Sequence, residues 1–338
     1  MTPAQFQQLA AAYPRLRIAI LGDFCLDRYL EIDPGRGETS IETGLRVHNV
    51  VHVRSQPGAA GTILNNLVAL GIGSIHAVGF CGVDGEGFEL QRALRAKTGV
   101  RLDHFLETPE RRTFTYCKPL LMHPGKAPEE LNRLDSKNWT PTPPSVQQHF
   151  IRAARELAPQ VDAFILMDQV DVAETGVVTS PLLESLRDVI QAHPKLLIIA
   201  DSRRGLRGYP PVCLKMNAAE LARLTGNNAR ELGAIQQSAL ALARQNGRPV
   251  FITLSERGIL AASPDGTIAH SPALPLRGEI DIVGAGDAVT ANLTAALAAG
   301  ASLRDAIDLA NAAASLVIHQ LGTTGTATVL QIRSLLGY

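Results

Sequence analysis

Short, unbroken apolar runs alternate along this chain with longer stretches of helical period. Arg17-Ile18-Ala19-Ile20-Leu21-Gly22-Asp23 is one such run, and residues 163–168, 196–201 and 250–255 repeat its form. A strand exposed on one face alternates apolar with polar residues, whereas a run apolar throughout suits a strand covered on both faces, as in a parallel sheet between helix layers. Each of the four runs closes on Asp or Ser, and open parallel sheets bind ligands beyond the carboxyl ends of their strands. Helices are predicted over about 60–70 (closed by Gly71), 178–193, 229–246 (closed by Gly247), and from a near capping box at Ser302 to about Ile318. The alternation predicts an α/β doubly wound, mainly parallel sheet in a single domain spanning 1–338.

Two stretches break the alternation. Residues 28–56 and 111–122 carry strand-like residues without helical period, so a small β-sheet inserted into the main domain is expected there. Pro141 to Pro144 mark a loop before the next helix.

Composition narrows the classes. With 32 basic and 32 acidic residues the formal net charge is zero, which gives no footing for nucleic acid as a partner. The four cysteines, Cys25, Cys81, Cys117 and Cys213, form no C-x-x-C pair, which fits a reducing, cytoplasmic setting. The first residues lack a signal-peptide pattern and no apolar run reaches membrane-spanning length, so no membrane partner is expected. His104, His123 and His149 show no metal-ligand spacing.

The segment richest in chemistry is Asp281-Ile282-Val283-Gly284-Ala285-Gly286-Asp287-Ala288, followed by an apolar helical stretch to Gly300. Two glycines let a turn bring backbone N–H groups against an anion, and the positive end of the following helix points to the same place. Asp287 adds a carboxylate in the first helical turn. Phosphoryl transfer needs this pair, since charge on the transferred group must be stabilised and the attacking hydroxyl must lose its proton. Taken alone, the segment reads equally as a plain loop-to-helix turn with Asp as a helix-start residue.

Context comes from a resemblance. The segment resembles the second signature, D-x-x-G-A-G-D, of the ribokinase or phosphofructokinase B family of carbohydrate kinases. Further family landmarks follow in order: Gly79 to Gly87 resembles G-x-x-G-x-D-x-x-G, Asn217-Ala218-Ala219-Glu220 resembles N-x-x-E, and Thr253 to Gly258 resembles T-x-x-x-x-G. The similarity spans roughly residues 16–335. Within the family the chain is most similar to the heptose-7-phosphate kinase subgroup, through Gly22-Asp23-Phe24-Cys25-Leu26-Asp27-Arg28-Tyr29, Arg133-Leu134-Asp135, Asn311-Ala312-Ala313-Ala314 and Leu321-Gly322-Thr323.

The resemblance implies a ribokinase-like fold whose inserted sheet serves as a lid and pairs two subunits into a homodimer. It implies transfer of the ATP γ-phosphoryl to a hydroxyl of a sugar or sugar phosphate. Asp287 is then the base, with Gly284, Ala285 and Gly286 as the anion hole. Asp27, Gly58, Ala59, Thr62 and Asp168 fall on the sugar side. Asn217, Glu220, Ser255, Gly258 and Asn311 fall on the nucleotide side, and Glu220 holds Mg²⁺ through water. A monovalent cation is also compatible with the family. Other readings stand beside these: an exposed helix start for Asn217 and Glu220, a helix-entry glycine for Gly58, and a polar residue on a helix face for Asn311. Arg28, Arg111, Arg112, Lys118 and Arg203 are candidate anchors for a substrate phosphate, or else solvated surface charges.

The chain departs from the pattern in three places. Ala59 and Thr62 stand where the first signature has Gly and Asn, no Lys follows Asp168, and Ile282 replaces Thr or Ser. The transfer machinery is retained while the sugar site is altered. An unphosphorylated sugar or nucleoside acceptor, and a sensing pseudokinase, therefore stay open beside a sugar phosphate.

Overall fold

The computed structural model describes every residue from Met1 to Tyr338. Its frame is a ten-stranded sheet. Across it run Ile268–Ser271, Ile259–Ala262, Val250–Thr253, Cys213–Asn217, Leu197–Ser202, Ala163–Asp168, Arg17–Gly22, Ser74–Gly82 and Val100–Arg101, and Phe105–Thr108 pairs with the end of Ser74–Gly82. Pairing is parallel throughout except for the antiparallel edge formed by Ile259–Ala262 and Ile268–Ser271.

The unbroken apolar runs are explained by what covers them. Ile18 and Ile20 enter one core, beneath the helices Ala60–Ala69, Ala285–Ala298 and Leu303–Val317. Ala19 and Leu21 enter a second, beneath Pro144–Leu157, Ser180–Ala192 and Leu232–Asn246. Every position in the strand Ala163–Asp168 is buried for the same reason. The chain first adds strands to one side of Arg17–Gly22 and then crosses to the other side. The switch point thus lies between Arg17–Gly22 and Ala163–Asp168, where a crevice opens beyond the strand ends.

A second sheet rises from that crevice. It comprises Phe24–Ile32, Val50–Ala59, Phe114–Leu121, Leu134–Ser136 and Glu129–Glu130. The expected insertions, 28–56 and 111–122, supply most of it, but its strands start nearer the main sheet. Only Asp23 separates Arg17–Gly22 from Phe24–Ile32. Residues 33–49 do not join the sheet and carry only the short pair Glu38–Thr39 and Arg46–Val47. The strands at 129–136 were not foreseen, because Glu129, Glu130 and Asp135 give them no apolar alternation.

Candidate active site

The helix Ala285–Ala298 begins at Gly284, which has φ 84° and ψ −6°. This left-handed conformation is costly for a residue with a Cβ, and a Cβ here would also stand 3.3 Å from Thr324 Cβ and 3.5 Å from the Thr62 methyl. Beyond the turn the helix is built of small residues, Ala288, Thr290, Ala291, Ala295 and Ala296, all fully buried, so it sinks between the sheet and Leu303–Val317. The free N–H groups of its first turn therefore open toward the crevice. Asp287 lies in that turn. Burial is the main cause that pushes its carboxyl up to about 7. Asp201 and Asp27 add to the rise, and Lys215 opposes it.

Asp201 closes one of the apolar runs singled out in the sequence, but its pairing with Lys215 was not expected. They stand opposite each other in register on the neighbouring strands Leu197–Ser202 and Cys213–Asn217, and both are buried beneath the turn with Lys215 Nζ 2.7 Å from Asp201 Oδ2. Thr290 Oγ1 donates to the same carboxylate oxygen at 2.9 Å, tying the helix to the pair. Burial pushes the Lys215 ammonium toward neutrality, but Asp201 outweighs it and holds its pKa above the usual value. An isolated Lys inside an apolar strand gives no local signal, which explains why the pattern did not reveal it.

The sugar-side candidates converge. Asp27 lies against Gly58 and is close enough to Asp287 to disfavour its charge. Burial raises the Asp27 carboxyl, while Lys118 and Arg133 act against the rise. Ala59, at the expected Gly position, has φ 53° and ψ −115°, a backbone that suits glycine. Thr62 is buried facing the turn at Gly284, and its Oγ1 has no partner. Asp168 is fully buried. Its Oδ2 accepts from Ser202 Oγ at 2.8 Å, Arg204 at 2.8 Å and Tyr209 Oη at 3.3 Å, and its Oδ1 is unpartnered. Asp23 accepts from the backbone N–H groups of Gln169, Val170 and Val177, so it fixes the 169–177 segment. Burial, with Asp168 second, pushes its carboxyl up to about 7.

The nucleotide-side candidates spread along the other edge. Asn217 and Glu220 cap the helix Ala218–Thr225 reciprocally: Asn217 N–H donates to Glu220 Oε2 at 2.8 Å, and Glu220 N–H donates to Asn217 Oδ1 at 2.9 Å. Ser255 starts a short 3₁₀ turn, and Gly258 closes it with φ 87° where a Cβ would strike Ser271 O. Asn311 is buried and ties its helix to the edge strand by donating to Pro272 O and Ser271 Oγ. Glu220 Oε2 is thus already engaged, and no group of three or more His, Cys, Asp or Glu side chains is gathered as a metal-ligand set.

Among the cationic candidates, Arg111 is corrected. It is buried and donates to Thr140 O, Thr140 Oγ1, Pro141 O and Thr175 O, so it clamps backbone and cannot reach a ligand. Arg28 pairs with Glu89 behind the small sheet. Arg112 is an exposed surface residue. Arg203 is half exposed and pairs with Asp171. Lys118 alone of the five shares the Asp27 face. Strand register places Asp27, Tyr29, Arg54, Gln56, Tyr116 and Lys118 on that face together. Lys118 Nζ lies 5.0 Å and Arg54 4.6 Å from the Tyr29 ring, while Arg133 lies 4.9 Å and Lys137 5.9 Å from the Tyr116 ring. No Lys follows Asp168, but Lys137 pairs with Asp171 at 2.6 Å and Arg204 with Asp168 at 2.8 Å.

The family model described as pfkB family carbohydrate kinase matches residues 140–329. The chain belongs to that family. This pfkB-family kinase is 29% identical over 335 residues to the Bifunctional protein HldE of Bradyrhizobium sp. (strain ORS 278), covering 98% of this chain and 66% of that protein. It is 31% identical to the Bifunctional protein HldE of Pectobacterium atrosepticum, covering 94% of this chain and 62% of that one. The chain therefore spans about three fifths to two thirds of the length of these relatives. Among solved structures, Arabidopsis thaliana ribokinase complexed with ribose and ATP matches with a TM-score of 0.68 and 18% identity, over 96% of this chain and 99% of that one. Escherichia coli phosphofructokinase-2 in complex with substrates and products gives 0.71 and 17%, over the same shares. These confirm the ribokinase-like fold of the pfkB-family kinase and its doubly wound sheet.

Proposed function

We propose that the protein transfers the γ-phosphoryl of ATP to a hydroxyl of a sugar phosphate, with a heptose 7-phosphate as the first acceptor to test. The observation that carries this reading is the position of Lys118, on the same sheet face as Asp27 and close enough to favour its charge. It belongs to a cationic roof with Arg54, Arg133 and Lys137, but those three are paired with Glu31, Asp135 and Asp171, which leaves Lys118 as the cation free to meet a phosphorylated acceptor. The resemblance to the heptose-7-phosphate kinase subgroup and the HldE relatives support the same class.

In this reading Asp27 accepts from sugar hydroxyls, with Gly58 allowing its approach, while Ala59, Thr62 and Asp168 line the pocket. Asp287 takes the proton of the attacking hydroxyl, and the amides of Gly284, Ala285 and Gly286 receive the phosphoryl. Asn217, Ser255, Gly258 and Asn311 frame the nucleotide. Magnesium would arrive with ATP and neutralise its phosphates. Glu220 Oε1 makes no hydrogen bond, with the Arg223 guanidinium 4.0 Å away, and suits contact through water rather than direct ligation. The small sheet closes over the acceptor and excludes water. On its outer face Val53 and Leu134 are exposed, which supports pairing with a second copy of the chain.

The test is ATP consumption across a panel of sugars and sugar phosphates, with Asp287→Asn beside the wild type. Turnover of one sugar phosphate, lost in the variant, supports the reading. Turnover of unphosphorylated sugars alone overturns the acceptor class and keeps the kinase. Ligand binding without any turnover points to a sensor.

A further inference from the structure

A full positive charge is buried directly beneath the turn at Gly284–Gly286. A Cβ on Gly286 would stand 3.1 Å from Lys215 Nζ, so the absence of a side chain there brings the ammonium against the backbone of the cradle. The ammonium carries three N–H donors, and Asp201 Oδ2 accepts one at 2.7 Å. Asp201 shares that oxygen with Thr290, whose one hydroxyl proton also has Gly286 O, at 3.1 Å, as an alternative acceptor.

We propose that Lys215 is a further catalytic residue, whose ammonium, lodged between Asp201 and the backbone of Gly286, hydrogen-bonds the transferred phosphoryl as it occupies the turn. Charge on that group spreads over its three equatorial oxygens. Backbone amides meet it only with partial charges, whereas the ammonium, though paired with Asp201, keeps two further N–H donors on a charged group in a dry site. Asp201 fixes the ammonium before the nucleotide arrives, so little reorganisation is needed. A structural task alone would not require the charge. Thr290 already ties the helix to Asp201 by the shorter of its two contacts, and a buried ion pair is a weak source of stability compared with packed apolar side chains.

The inference does not depend on which acceptor is used, and its primary test needs none. The affinities of Mg-AMP-PNP and Mg-ADP are measured by calorimetry on the full chain. Lys215→Met should lower the preference for the triphosphate analogue by ~10-fold or more, the effect of one lost charge-assisted hydrogen bond. With the acceptor found by the panel, kcat should fall by ~10²–10³ while the acceptor KM holds. Thr290→Val removes the helix tie alone and should lower Tm with both readouts retained. A folded Lys215→Met protein with the wild-type affinity ratio and kcat within about threefold would overturn the proposal. If Lys215→Met does not fold because Asp201 is left unpaired, the Asp201→Asn/Lys215→Met double variant removes both charges and is read the same way. Failure of the sugar-phosphate reading would leave the nucleotide ratio intact as a result.

Discussion

A Cβ built on Gly58 would stand 2.6 Å from Asp27 Oδ2, so the glycine and the carboxylate share one space. The two strands that carry them pair antiparallel, and the missing side chain lets Asp27 lie flat across its partner. Gly58→Ala should therefore act through Asp27. Steady-state kinetics should show the acceptor KM raised ~10-fold or more, with ATP binding unchanged and the protein folded, as expected when a positioned hydrogen-bonding group is displaced. An unchanged acceptor KM would separate Gly58 from the sugar site.

The pH profile should report Asp287. Its carboxyl is pushed up to about 7 by burial first, then by Asp201 and Asp27, with Lys215 acting against them. A base works only when deprotonated, so kcat/KM should fall on the acid side of about pH 7. Asp287→Asn should cost ~10²–10⁴ in rate and abolish that limb. Stability should move the opposite way. The native state holds this proton more tightly than the unfolded chain, whose carboxyl titrates near 3.8, so folding loses stability as pH rises from there through about 7. The Tm of Asp287→Asn should exceed that of the wild type at pH 8, by more than it does at pH 5.

Ala59 carries φ 53° and ψ −115° with a side chain that disfavours both. Ala59→Gly removes the clash, worth ~1–2 kcal/mol per left-handed residue, against ~0.5–1 kcal/mol of added chain entropy in the unfolded state. Chemical denaturation should show a net gain on the order of 1 kcal/mol. A loss would mean that the Ala59 methyl packs usefully in the pocket.

Lys118→Ala tests the cationic roof. A phosphorylated acceptor should lose ~10-fold or more in KM, while an unphosphorylated analogue should be used equally by both proteins. Equal loss for both would place Lys118 on Asp27 alone and not on a substrate phosphate.

The sequence made the parts of this site legible in proportion to how local they are. Gly284 to Asp287 form one turn, so their spacing was readable, and so were the buried strands, since coverage on both faces removes every polar residue from them. Asp27 and Asp168 end or follow such strands and were visible as the polar residues after an apolar run. Lys215 and Asp201 meet only because strands distant in sequence lie side by side. Lys137 and Arg204 reach Asp171 and Asp168 from other segments. Arg111 was misplaced because an arginine that binds three backbone oxygens and a threonine hydroxyl looks, in sequence, like any other arginine. The strands at 129–136 were hidden because charged residues on a small sheet leave no alternation.

Asp23 is the sole residue between the large sheet and the small one, and its carboxylate is bonded to three backbone N–H groups of the 169–177 segment. Any swing of the small sheet thus pivots on a residue riveted to the opposite wall. Roof and floor of the cleft are geared together: opening one disturbs the other, so letting a product go and slackening the grip on it become a single event.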